Sequence, residues 1–378
     1  MPGEAPGLPS GAEREALARR AAAIIQDRAG PLLRAHGIPG LSACVTSVGG
    51  PLHAMAFGVR ELGRPEPVET GTIFQIGSVS KSISSIAAAR MPHLGLLGLD
   101  EPVAGYLKTW KFPERMTRAH DVRLVTLRGL LSHTAGFNVH GYPYVDAGKP
   151  LPTAAQILEG CQGPDTILDW IGPPCETMHY SSAHFVLFQL LVEDITGRHF
   201  AEWMDRNLIL PLGMLDSAYL WDDSMRTRFA MRHTGEGQVL PQRQRAVLAS
   251  SNLHTTASDL ARALVFPMRS RFGDASMEWF LPGSSSAELV RPQPVAQVAA
   301  GEERHWGLGW YLGRPEVQTT YKAGGAFEGV WCWLEAFPGS GVCVVLLTNS
   351  QSGACATHPI MNELRPFLLH PEQPHANA

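Results

Sequence analysis

The sequence predicts an α/β (α+β) fold: one antiparallel sheet built from both chain ends and flanked by helices, with a mostly helical region inserted between them. Three observations predict it. Strand-length apolar runs flank a Gly-Gly-Pro turn near residue 50, similar runs return after residue 307, and most of the helical patterns lie in between. A chain of 378 residues, 44% hydrophobic and 17% charged, is long and apolar enough to bury a large core. Residues 1–11 are expected to form a disordered lead, residues 12–75 and 290–370 the sheet part, and residues 76–289 the mostly helical part, all within one domain.

Taken in order, Ala12 to about Ala35 carries an amphipathic helical pattern, which His36-Gly-Ile-Pro-Gly40 stops. Leu41–Val48 and Leu52–Gly58 alternate as strands on either side of Gly49-Gly50-Pro51, a hairpin signature. Helices follow over the segment after Ser78, Thr126–His133, Ala154–Leu158, Ala183 to about Thr196 and Phe200 to about Leu208. The Pro- and Gly-rich stretches 141–150 and 172–174 separate them, and long loops of this kind tend to line sites. Strands are then expected at Gly307–Leu312, Thr319–Ala323, Val330–Phe337 and Val342–Leu347, the last two joined through Pro338-Gly-Ser-Gly341, with a final helix from about Ala356 to Leu369.

Composition removes several function classes. A net charge of −4 offers no electrostatic reason for nucleic acid or an anionic membrane surface as partner, and Arg243-Gln-Arg245 reads as solvated surface. No apolar run reaches membrane-spanning length, and the first ten residues lack the pattern of a secretory signal, so a cytoplasmic location is expected. The six cysteines show neither zinc-type spacing nor a disulfide framework and read as buried free thiols. Fifteen histidines occur without a His-Glu-X-X-His pattern, and no glycine-rich phosphate loop is present. No metal and no cofactor is expected.

The chemistry concentrates in Phe74-Gln-Ile-Gly-Ser-Val-Ser-Lys81. Residues three apart on a helix are neighbours, so Ser78 and Lys81 share one face, where a lysine amine can take the proton that makes a serine hydroxyl nucleophilic. Gly77 permits a tight turn into the helix, and the small residues after Lys81 suit burial. A serine at a helix start also has free N–H groups and the positive dipole end beside it, which favour a developing oxyanion. His133, at the end of a helical pattern, reads as a structural cap rather than a base.

These residues occur in a longer ordered series: Leu99-Asp-Glu-Pro-Val103, Leu130-Leu-Ser-His-Thr-Ala-Gly-Phe137, Tyr180-Ser-Ser-Ala183, Leu210-Pro-Leu-Gly-Met214, Leu253–Leu260, Tyr321-Lys-Ala-Gly-Gly325 and Val345–Ser350. In this order they resemble the serine β-lactamase and penicillin-binding-protein superfamily, in particular its class C-like branch of esterases, transesterases and peptidases. The resemblance spans roughly residues 36–350 and implies a β-lactamase/transpeptidase-like fold. It implies a Ser78 acyl-enzyme with catalytic Ser78, Lys81, Tyr180 and Lys322, an oxyanion hole from the backbone N–H groups of Ser78 and Gly325, and substrate contacts at Ser182, Ala323 and Gly324. Two positions depart from the superfamily pattern: Ser182 replaces the asparagine of Tyr-X-Asn, and Ala323 replaces the threonine of Lys-Thr-Gly. Both weaken the case for amide-bearing, carboxylate-bearing substrates such as penicillins. The reading is therefore a serine hydrolase or acyltransferase acting on a small-molecule ester or thioester. The alternatives are a β-lactamase or D-amino-acid-recognising peptidase or amidase and, from another class, a catalytically poor acyl-binding or sensor protein.

Overall fold

A computed structural model describes residues 7–145, 149–293, 297–299, 302–313 and 320–371. Most of the lead, residues 1–6, lies outside them, as does Thr319 of the second C-terminal strand expected. Helix α1, Gly11–Ala35, begins at a capping box in which Ser10 accepts from the Glu13 N–H and the Glu13 carboxylate accepts from the Ser10 N–H. Its buried stripe of Ala18, Ala21, Ile25, Ala29 and Leu33 packs on the sheet.

The main sheet has six strands: β1 (Gly40–Ser47), β2 (His53–Gly58), β3 (Tyr311–Leu312), β4 (Tyr321–Phe327), β5 (Val330–Phe337) and β6 (Val342–Thr348). Their spatial order is β2-β1-β6-β5-β4-β3, antiparallel throughout, so strands from the two chain ends meet at the centre, where Cys44 faces Val345. One face packs against α1 and the C-terminal helix Ala354–Leu369. The other carries the larger core with α2 (Val79–Ala88), α3 (Leu127–Leu131), α4 (Ala183–Thr196) and α5 (Ala257–Leu264).

The expected antiparallel sheet from both ends is thus observed. The strand expected over Gly307–Leu312 shrinks to two residues, because Gly309 adopts φ +79° and turns onto α2. There its carbonyl accepts from Ser82 Oγ at 2.5 Å and its N–H donates to the Leu131 carbonyl at 2.8 Å. A methyl at Gly309 would collide with Ser85, so only glycine permits this approach. Cys44, Cys332 and Cys343 are buried thiols as expected, but Cys161, Cys175 and Cys355 are exposed; all six are free. No helix among the described residues is long and apolar enough to cross a membrane.

Candidate active site

Gly77, at φ +52°, turns the chain from a two-residue strand into α2, and the Phe327 ring of β4 lies where its side chain would be. A serine at a helix N-cap normally caps with its hydroxyl. Ser78 makes no such bond, and its own N–H has no acceptor among the described residues. Its Oγ instead accepts from Lys81 Nζ at 3.2 Å. All ten residues of α2 are buried, and Lys81 is 2% exposed. The Lys81 amine also donates to the Ser250 carbonyl at 3.2 Å and stands 4.9 Å over the Tyr180 ring; among the described residues no carboxylate pairs with it. Ser80, buried, turns the other way and accepts from the Leu253 N–H at 3.1 Å.

Past Lys322, β4 has no partner on its β3 side and becomes a sheet edge. A side chain at Gly325 would strike the Ile76 carbonyl, so β4 lies directly against the turn that leads into Ser78. Gly325 forms a hydrogen-bonded pair with Cys332, so its N–H points into the sheet, which corrects it as an oxyanion donor; the Ser78 N–H and the edge-facing N–H groups of Gly324 and Ala326 are the donors that suit a developing oxyanion.

The remaining expected residues divide. Tyr180 is half-buried, its ring against His133 at 4.5 Å and Trp306 at 5.7 Å, and its hydroxyl makes no hydrogen bond to Ser78 or Lys81. Lys322 is not brought to Tyr180, which corrects its expected place among the catalytic residues. Strand pleating puts Lys322 on the same face as Gly324, Trp333 and Glu335, toward the C-terminal helix, where Arg365 bonds Glu335. Its amine sits over the Tyr311 ring at 4.8 Å and, among the described residues, connects to Tyr180 through Tyr311 and Trp306. Burial pulls its pKa down, with the Glu335 carboxylate opposing. Ser182 and Ala323 are also corrected as substrate contacts: Ser182 Oγ donates to the His140 carbonyl at 2.8 Å, and the Ala323 side chain is buried in the core. Gly324 is exposed on the sheet edge.

His133 ends α3 in the left-handed region, φ +62°, as a structural residue. His184 Nε2 accepts from the Phe137 N–H, so its proton lies on Nδ1, 3.2 Å from His133 Nδ1, which also accepts from the Ser181 N–H. Burial, then the charges of His184 and Lys81, hold the His133 pKa well below 6.5; burial lowers His184 to about 3 and His254 to about 4. These are depressed folded-state values, so the stability they support is present above pH 6.5 and is lost as the unfolded chain binds protons below it. Between pH 6.5 and 5, His184 and His254 should each cost roughly 2 kcal/mol of unfolding free energy. Urea titrations across that range should show stability falling with acid; a flat or rising profile contradicts the buried neutral imidazoles.

Sequence reasoning missed Ser250, Trp306, Tyr311 and Phe327. Ser250 acts through its carbonyl, which has no residue-type signature, and the three aromatics read equally well as core.

A model of the Beta-lactamase family matches residues 20–362. The chain belongs to the β-lactamase family. It is 30% identical over 358 residues to penicillin-binding protein 4 of Amycolatopsis lactamdurans, covering 91% of this chain and 88% of that protein. It is 28% identical over 358 residues to the esterase EstB of Burkholderia gladioli, covering 84% and 88%. Among solved structures, SurE superposes with a TM-score of 0.71 at 24% identity, covering 97% of this chain and 78% of that one. A class C β-lactamase superposes with a TM-score of 0.70 at 16% identity, covering 95% and 98%. At these identities the structural likeness shows the fold alone. This β-lactamase-family chain therefore carries the fold of a family of serine hydrolases, with an esterase and a penicillin-binding protein among its relatives.

Proposed function

We propose that this protein is a serine hydrolase or acyltransferase that cleaves esters or thioesters through a Ser78 acyl-enzyme. The observation that carries the reading is the Lys81 amine 3.2 Å from the Ser78 hydroxyl, at a helix start where the Ser78 N–H has no acceptor among the described residues and against which the Gly325 edge lies. Ser78 Oγ bonds the acyl carbon as its proton passes to Lys81. The carbonyl electron pair moves onto oxygen, facing the N–H groups of Ser78 and of the open β4 edge. The Tyr180 ring and the Ser250 carbonyl receive the ammonium so formed. Collapse re-forms the carbonyl and expels the alkoxide or thiolate, protonated through Lys81 and Tyr180. Water, an alcohol or an amine then takes the acyl group by the reverse sequence.

Esters are favoured over β-lactams because the two polar arms that would hold a β-lactam are absent. Ser182 is bonded to His140, and the Ala323 side chain faces the core rather than the site. A missing hydrogen bond to a charged group costs about 1.5–3 kcal/mol, roughly ten- to a hundredfold in rate. A p-nitrophenyl acyl ester should therefore show a far higher kcat/KM than nitrocefin in the same preparation. Comparable values would count against the esterase reading, and a preference for nitrocefin would transfer it to a β-lactamase, the activity named for other members of the family.

A further inference from the structure

Beyond Gly325, the edge of β4 runs into a group of positive charges that the reaction does not use. Phe327 rests on Gly77, its ring within 2.5 Å of where a side chain there would start. Tyr144 lies 6.4 Å from the Phe327 ring, and two guanidinium groups stand against the Tyr144 ring, Arg245 at 4.2 Å and Arg232 at 4.8 Å. Both also reach Phe327, at 5.5 and 6.0 Å. Arg232 is 2% exposed; it donates to the Tyr144 hydroxyl and to the carbonyls of Glu328 and Pro241, and its Nε has no partner. Half-buried Arg245 donates to the Tyr142 carbonyl. The Arg243 carbonyl accepts from Gln75 Nε2, on the strand before Ser78. Among the described residues no carboxylate forms an ion pair with Arg232, Arg243 or Arg245. Arg243-Gln-Arg245 is therefore not simply solvated surface, because Arg245 is packed beside the nucleophile's turn. Like charges held this close around one ring, in a protein of net negative charge, call for an anion.

The position of the group decides which part of a substrate meets it. Tyr180, the proton donor to the leaving group, connects through Trp306 and Tyr311 to the Lys322 end of β4. Phe327 and Arg245 lie at the other end, past Gly325, away from that proton donor. We propose that Tyr144, Arg232, Arg245 and Phe327 form an acyl-chain subsite for an anionic group, so that the preferred donor is an ester or thioester of an acid bearing a second, terminal carboxylate. Phe327 carries the methylene chain, and Arg245, the more accessible guanidinium, meets the carboxylate. This assignment rests on the Ser78 acyl-enzyme.

The test compares p-nitrophenyl half-esters of glutaric, adipic and suberic acids with the same compounds capped as methyl esters, while a fluorophosphonate probe reports labelling of Ser78. Wild-type protein should prefer at least one half-ester over its neutral partner by tenfold or more in kcat/KM, and the preference should shrink as salt rises. Arg245→Gln should collapse that ratio toward one, and Arg245→Lys should restore most of it. Turnover with Ser78 labelled but no anionic preference overturns the subsite and leaves the acyl-enzyme standing. So does an Arg245→Gln variant that slows both ester types alike, which would mark a structural residue. Absence of both labelling and turnover overturns the acyl-enzyme, and the subsite with it.

Discussion

Ser78→Ala should abolish ester turnover and covalent labelling, with kcat falling by at least about 10⁴-fold, because removing the nucleophile of a concerted catalytic unit removes nearly all of its chemistry. The variant should fold normally: the Ser78 hydroxyl makes no cap bond, and its recorded partner is Lys81. Ser80→Ala is the matched control. It deletes a buried hydroxyl that accepts from the Leu253 N–H, so it should cost stability, about 1–3 kcal/mol for a stranded buried donor, while keeping labelling. Retained turnover in Ser78→Ala, or its loss in both variants, would contradict the assignment.

The second large effect concerns Lys81 and Tyr180 as one proton-transfer unit. Lys81→Ala should lower kcat by about 10²–10⁴, the usual range for a lost general acid–base, and Tyr180→Phe should do the same if the phenol delivers the leaving-group proton. The double variant should be little worse than the worse single one, since groups that move one proton are non-additive. Tyr180→Phe also separates two roles of the same residue. The phenylalanine ring keeps a face for the Lys81 ammonium, 4.9 Å away in the wild type, and loses only the hydroxyl. Near-wild-type kcat in Tyr180→Phe would leave Tyr180 as a platform and assign the proton to Lys81 alone.

How far the site was legible depended on what kind of signal each residue leaves. Ser78 and Lys81 sit three apart on one helix, so their contact follows from helical geometry alone, and the capping box of α1 and the hairpin turn at Gly49-Gly50-Pro51 are equally local. Lys322 was legible as a motif and misleading as a position. Its side-chain direction depends on the parity of β4, and that is set by the pairing of Gly325 with Cys332 and by the close approach to Ile76. The short β3 was misread because Gly309 turns for a tertiary reason, its packing on Ser82 and Ser85. Ser250 lies 169 residues from Lys81, and Arg245 meets its aromatic platform only where the loop carrying Tyr144 folds against it. Neither relation leaves a periodic or local trace.

The most direct test of the central claim is to map the covalent adduct. The protein is quenched during turnover of a slowly deacylating p-nitrophenyl ester, digested, and sequenced by tandem mass spectrometry. The acyl mass should lie on the peptide containing Ser78, with fragment ions placing it on Ser78 rather than Ser80. An adduct on another residue would contradict the account, as would sustained turnover with none detectable.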